Sequence, residues 1–226
     1  GHPLPQAAVR QHRLMTIPRF PLAPVFLAIL IMSTIAPLAH LADRPADSHF
    51  EAARARGLPA DGALLLVSVR DQRLALIQGD ATRRTYRIST SRVGTGSRRD
   101  SFRTPLGWHR VTDWIGGDAR PGQVFVARRP TTEILPPDAW QAADGKDYVL
   151  TRILWLDGME PGRNHGGERD SRSRYIYLHG THQEHLLGRP ASRGCIRLSN
   201  RDIMELFDLT QGRVTFCLIV DDPLRD

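Results

Sequence analysis

The stretch YLHGTHQEHLLGRPASRGCIRLSN, residues 177–200, decides how this chain is read. It opens on a short apolar run that delivers His179 to the end of a strand, followed at once by Gly180. Sixteen positions on, Cys195 sits in a turn, Ser192-Arg193-Gly194-Cys195, that runs into the apolar Ile196. A thiol needs a base within reach and donors for a developing oxyanion before it can act as an acyl-transfer nucleophile. His179 is the candidate base, acting as general base and then acid. Cys195 is the candidate nucleophile. Gly180 and Gly194 permit unusual backbone angles or close packing beside them. The backbone N–H groups around Arg193 to Cys195 are the natural oxyanion donors. Arg197 and Ser192 are candidate substrate-binding residues, because a guanidinium can hold a carboxylate by two parallel hydrogen bonds. Arg197 could equally pair with Asp202 or with an acidic loop residue.

The chain has two cysteines. Cys217 lies inside the apolar run Val214–Val220 and reads as core, whereas Cys195 is surrounded by Ser, Arg and Gly. A Cys195–Cys217 disulfide would consume the nucleophile, so two free thiols are expected. His179, His182 and His185 invite a metal reading, but their spacing matches no strong zinc pattern, and no metal is expected.

Outward from this stretch, strand signals dominate. Ala63–Val69 and Arg73–Gln78 are apolar runs separated by three polar residues, a hairpin. Arg84–Thr90 has Tyr86 and Ile88 on one face. Trp108–Trp114, Tyr148–Leu156, Tyr175–Leu178 and Val214–Val220 complete the strands. The last is apolar on both faces, as a central strand would be. A helix is predicted from Asn200, taken as its N-cap, with Ile203, Leu206 and Phe207 on one face and Gly212 past its end. Segments 93–104 and 161–174, rich in Gly and Arg, read as loops, the second mobile. Segment 116–147 is too long for a plain loop. Either it is functional, as a lid over a cleft, or it holds elements the pattern does not reveal. The pattern predicts a mainly β fold with one clear helix.

The 226 residues carry a formal charge of +7, and Lys146 is the sole lysine among 31 basic residues. No long basic run or RNA-binding aromatic motif accompanies that charge, so nucleic acid is not an expected partner. Residues 1–42 contain PVFLAILIMSTIAPL, positions 24–38, preceded by Arg19. That core is short for a spanning helix, which needs ~20 residues, and has the length of a signal h-region. No small-x-small cleavage site stands out, so a cleaved signal peptide and an uncleaved membrane anchor both stay open. The expected organisation is an N-terminal extension at 1–42, a linker at 43–61 with a short helix near 48–56, and one catalytic domain at 62–222. Export to the periplasm or cell envelope is expected, soluble or anchored.

The His179-Gly180 pair, the Ser192-Arg193-Gly194-Cys195 turn, Ile196 and Arg197 resemble the core motif of the L,D-transpeptidase (YkuD) catalytic domain. Ser89-Thr90 and Thr104-Pro105-Leu106-Gly107 are similar to the family's upstream segments, and the similarity runs from about Ala63 to Val220. The resemblance implies a β-sandwich or barrel with one or two short helices and the catalytic Cys in a cleft. It implies cell-wall chemistry without metal or organic cofactor. Cys195 would attack the third-residue carbonyl of a peptidoglycan tetrapeptide stem, release D-alanine and pass the acyl group to an amine. The amine would belong to a second stem, a D-amino acid or an envelope lipoprotein. Carbapenems would acylate Cys195. An uncleaved N-terminus would add the inner membrane as a partner. Many members have histidine where this chain has Arg193. That departure motivates one alternative, a degenerate peptidoglycan-binding protein. A second, an L,D-carboxypeptidase or link-cutting hydrolase on the same fold, stays open because nothing in the sequence separates water from an amine as acceptor.

Overall fold

The run Ala63–Ser68 (β1) is buried at every position, and the reason is its place in the sheet. In this computed structural model, which describes residues 45–79, 81–141 and 145–224, β1 lies between two partners. It pairs antiparallel with Arg73–Gln78 (β2), as the hairpin reading predicts, and parallel with Thr215–Val220 (β10). Ala81–Arg87 (β3) extends β2, and Gly107–Ile115 (β4) flanks β10 on its other side. Beyond β4 come Val149–Gly158 (β7), Tyr177–Gly180 (β8) and Ile196–Leu198 (β9), the last two parallel to each other. Gln123–Val126 (β5) and Arg129–Ile134 (β6) form a hairpin that branches from the start of β7.

The sheet closes on itself. Ser89, just past β3, bridges Arg197 in β9. Each donates its N–H to the other's carbonyl at 2.9 Å. Closure turns one face of every strand inward. Leu65, Leu76, Ile88, Leu154, Leu178 and Ile196 meet there, with Ile203, Leu206 and Phe207 of the helix Asn200–Thr210 (α2) added to the same core. Burying each such side chain contributes about 1.5–3 kcal/mol. The outer faces of β1, β2, β4 and β10 carry Leu64, Ile77, Trp108 and Phe216, a second apolar layer. A first helix, Pro45–Arg54 (α1), covers it.

Three expectations change, and one alternative left open, that segment 116–147 holds elements of its own, is the one found. Segment 43–61 was expected as a linker with a short helix, yet Phe50, Ala53 and Leu58 are buried in the second layer, so residues 45–61 pack as part of the folded unit. The 116–147 segment holds β5 and β6. Loop 161–174 is tied down, because buried Asn164 donates to the carbonyls of Leu106 (3.0 Å) and Trp108 (3.1 Å), while its Oδ1 accepts from Glu160 N–H. The cap of α2 is Ser199, whose side chain accepts from Asp202 N–H. Asn200 turns inward instead, donating to Thr181 O at 2.9 Å and Glu184 Oε1 at 2.9 Å. The extension at 1–42 lies outside the described residues. Among the described residues no helix is long and apolar enough to cross a membrane.

Phe207 is 1% exposed. Phe207→Ala should destabilise the fold by about 3–5 kcal/mol, and Ser199→Ala by about 1 kcal/mol. Urea unfolding midpoints of the two variants, ranked in that order, check the assignment of core and cap.

Candidate active site

The alternation of a strand assigns the candidate residues to one face. Leu178, Ile196 and Leu198 point into the barrel. Their neighbours therefore point outward. Register pairs His179 with Arg197 in parallel and with Ile153 of β7 in antiparallel. Tyr177 and Cys195, two residues earlier on their strands, share that face and pack with Ile153 and Phe125. His179 and Cys195 are thus diagonal neighbours on the outer wall of the barrel.

The thiol is half-buried and hydrogen-bonded on two sides. Cys195 Sγ donates to the Tyr175 carbonyl at 3.3 Å and accepts from Tyr177 N–H at 3.4 Å. Burial pushes its pKa up to about 11, while the Tyr177 N–H and the positive charges of Arg197 and Arg174 pull the other way. The resting thiol is therefore protonated at neutral pH. His179 is 2% exposed. Burial lowers its pKa to about 4, against the opposing pull of Asp147 and the Gly180 carbonyl. Its Nδ1 lies 2.8 Å from that carbonyl. A carbonyl only accepts, so Nδ1 carries the hydrogen and Nε2 is left as proton acceptor. The pair at rest is neutral thiol and neutral imidazole.

The turn before Cys195 is fixed by its own hydrogen bonds. Ser192, fully buried, donates from Oγ to Cys195 O at 2.6 Å and accepts from Gly194 N–H at 3.2 Å. Thr104 Oγ1 donates to Gly194 O at 3.0 Å. Gly194 has φ +121, where a side chain is strained. Ser192 is thus a turn-former here, and of the expected oxyanion donors Gly194 N–H is already engaged. The N–H groups of Arg193 and Cys195 are the candidates that stay. The Arg193 side chain is exposed. At Gly180 a Cβ would meet Asn200 Oδ1 at 2.6 Å and Leu150 O at 2.9 Å, so close packing beside His179 needs the glycine.

Arg197 is placed differently from a substrate clamp. It is 2% exposed, its Nη2 lies 2.7 Å from Asp147 Oδ1, and its Nη1 donates to Gln183 at 2.8 Å. Of the two readings of Arg197, the acidic loop partner is the one present. His182 is buried edge-on against Tyr148 and His185 is exposed. Among the described residues the His, Cys and acidic side chains whose ligand atoms cluster are Asp157, His165 and Asp170, and neither histidine is one of them. Both cysteines are free, Cys217 fully buried in β10.

Three contributors escaped the sequence reading: Asp147, Arg174 and an aromatic group around the thiol. Trp155, Tyr175 and Tyr177 pack ring on ring, and Arg128 at the β5–β6 tip lies over Trp155 (4.6 Å) and Tyr175 (4.8 Å). Arg128 also donates to Tyr177 OH at 3.1 Å. A cleft of about 510 Å³ opens beside them, lined by Arg128, Trp155, Arg172 and Tyr175 among others. Cys195 does not line this cleft but adjoins it through Tyr175. A buried Arg197 between Ile and Leu was the signal that a carboxylate must lie nearby. Nothing in the spacing said it would be Asp147.

Residues 62–220 match the L,D-transpeptidase catalytic domain (YkuD) family. Comparison with curated proteins gave no match. Solved structures similar to this one include three of low identity. An L,D-transpeptidase from Mycobacterium smegmatis is 15% identical, with a TM-score of 0.41, over 70% of this chain and 58% of that one. The L,D-transpeptidase of Xylanimonas cellulosilytica is 19% identical, with a TM-score of 0.40, over 76% and 69%. The helical cell shape determining protein Pgp2 of Campylobacter jejuni is 16% identical, with a TM-score of 0.43, over 72% and 48%. The chain thus spans less than two thirds of the first and third of these.

Free Cys195 should react with iodoacetamide slowly at pH 7, the rate rising with pH toward a midpoint about 11 without a plateau near neutrality. A rate–pH profile by mass spectrometry tests this. Removing a cation that favours the thiolate, by Arg174→Gln, should slow alkylation at pH 8.

Proposed function

The chain belongs to the L,D-transpeptidase catalytic domain family, and on that premise we propose that it is an exported peptidoglycan L,D-transpeptidase. The observation that carries the reading is the placement of His179 on β8, its Nδ1 on the Gly180 carbonyl, and of the Cys195 thiol just before β9, diagonal neighbours on one face. Such a pair is idle until a substrate arrives.

The steps follow from the groups present. A stem tetrapeptide enters with its third-residue carbonyl over the thiol. Cys195 leaves the Tyr175 carbonyl and gives its proton to His179 Nε2 as sulfur attacks the carbonyl carbon. The positive imidazolium is held by the Gly180 carbonyl at Nδ1 and by the field of Asp147. The oxyanion receives the N–H groups of Arg193 and Cys195. When the tetrahedral centre collapses, the C–N bond to D-alanine breaks and His179 returns its proton to the departing amine. A thioester on Cys195 is left. An amine acceptor then attacks the thioester, giving its proton to His179, and the thiolate leaves and is reprotonated. The acyl group ends in a new amide. Arg193, whose side chain is exposed, supplies its backbone N–H to the oxyanion.

Purified full-length protein incubated with tetrapeptide muropeptides should form a Cys195 thioester and new cross-links with loss of D-alanine, read by mass spectrometry. Cys195→Ala should abolish both. His179→Ala should lower kcat/KM by about 10²–10⁴-fold. Folded protein with a free thiol that yields neither adduct nor product would overturn the proposal. Release of D-alanine without cross-links, even with a D-amino acid supplied, would reassign it to hydrolysis. Export is tested separately by the compartment in which the tagged full chain is found.

A further inference from the structure

Thr104 opens the turn Thr104-Pro105-Leu106-Gly107 and is fully buried, although its side chain is polar. Pro105 restricts the residue before it to extended backbone. The Thr104 main chain is engaged on both sides: its N–H donates to Gly94 O at 3.2 Å, and its carbonyl accepts from Gly96 N–H at 2.8 Å. The side chain reaches the turn that carries the thiol. Its Oγ1 accepts from Ser91 N–H at 3.0 Å and donates to Gly194 O at 3.0 Å. Neither bond can run the other way, because an N–H only donates and a carbonyl only accepts.

Gly194 O and Cys195 N–H belong to one peptide unit. Such a unit is planar and trans, so its carbonyl and its N–H point in opposite directions. A carbonyl held on Thr104 therefore turns the Cys195 N–H away from Thr104. The hold is needed at this position. Gly194 has φ +121 and no side chain, and glycine reaches backbone conformations that other residues exclude. The preceding unit is held by a different bond, from Gly194 N–H to Ser192 Oγ at 3.2 Å. Among the described residues, Thr104 Oγ1 is the group that hydrogen-bonds the Gly194–Cys195 unit, and the Cys195 N–H has no backbone partner. Were this unit to turn over, its carbonyl would face a developing oxyanion and repel it.

We propose that Thr104 is a positioning residue for acyl transfer, its hydroxyl locking the Gly194–Cys195 peptide with the Cys195 N–H turned toward the oxyanion. The inference rests on the reading of the chain as an L,D-transpeptidase and extends it to the upstream Thr-Pro turn. The links run head to tail: Ser91 N–H to Thr104 Oγ1, Thr104 O–H to Gly194 O, and Cys195 N–H to the oxyanion. Each polarises the next, so the lock also strengthens the donor. Negative charge builds on the substrate oxygen as sulfur bonds to the carbonyl carbon, and it is withdrawn when the tetrahedral centre collapses. Thr104 touches neither substrate nor sulfur. Its effect falls on the transition states of acylation and deacylation and not on ground-state binding.

Oxyanion chemistry can be separated from plain thiol reactivity. Attack of the thiol on p-nitrophenyl acetate passes through an oxyanion, expels p-nitrophenolate and leaves an acetyl thioester. Alkylation by iodoacetamide displaces iodide from a saturated carbon and forms no oxyanion. In full-length protein, Thr104→Val keeps the shape and removes the hydroxyl. It should slow acylation of Cys195 about tenfold, part of the ~10²–10³-fold that a whole oxyanion donor is worth. Alkylation at pH 8 should stay within about twofold of the parent, because it needs the thiolate alone. Thr104→Ser should bring acylation back to within about twofold of the parent. With a tetrapeptide muropeptide, Thr104→Val should lower kcat about tenfold with KM nearly unchanged. Cys195→Ala supplies the background of each assay, and circular dichroism confirms folding. If the valine variant does not fold, Thr104→Ala is read in its place. Acylation and alkylation falling together, or acylation unchanged, overturns the positioning role. So does a parent thiol that is alkylated but never acylated by the ester. Ester acylation with the expected pattern in a protein inert toward muropeptides would condemn the transpeptidase reading alone.

Discussion

Two backbone hydrogen bonds between Ser89 and Arg197 close the sheet, and most of what lies around the thiol depends on them. β9 is three residues long and has one full strand partner, β8. A strand so short has little stability of its own. The Ser89 bridge fixes its other edge. Once β9 is held on both sides, alternation does the rest: Ile196 and Leu198 go into the core, and Cys195 and Arg197 go to the outer wall beside His179. A one-residue slip of β9 would exchange these sets. The core contacts of Ile196 and Leu198 therefore enforce the register on which thiol and imidazole rely.

The outer wall then has to bury charge without stranding it. Arg197 sits inside a strand between two core residues, and its guanidinium is covered by Asp147 and Gln183. An unpartnered buried charge would cost several kcal/mol. Asp147 removes that cost and at the same time places a negative charge near His179. The same ion pair thus supports the strand that follows Cys195, the proposed nucleophile, and would steady a proton on His179, the proposed base.

Much of this was legible in the sequence. The apolar runs of β1, β2 and β10 are unambiguous because both of their faces are buried. Cys195 and His179 stood out because polar and glycine-rich surroundings do not suit a core thiol. Other elements were hidden for physical reasons. β6, RPTTEI, is exposed along its length and carries no periodic signal. The segment before β1 contributes Phe50, Ala53 and Leu58 to the core amid charged residues, so its pattern is thin. Ser199 and Asn200 are both good caps, and tertiary demand decided between them: Thr181 and Glu184 needed the amide. The pairing of Asp147 with Arg197 spans fifty positions and leaves no local trace. In each case the deciding contact is made by residues far apart in the chain.

The thiol's resting hydrogen bond to the Tyr175 carbonyl has a further chemical consequence. Peroxides and foreign disulfides attack thiolates, and the neutral S–H is nearly inert to them. A sulfur kept protonated by burial and by a carbonyl acceptor is therefore shielded from oxidation in the absence of a donor. Its nucleophilicity is conditional, released by whatever displaces the carbonyl. The same enclosure that makes Cys195 a poor reagent in isolation thus preserves its thiol.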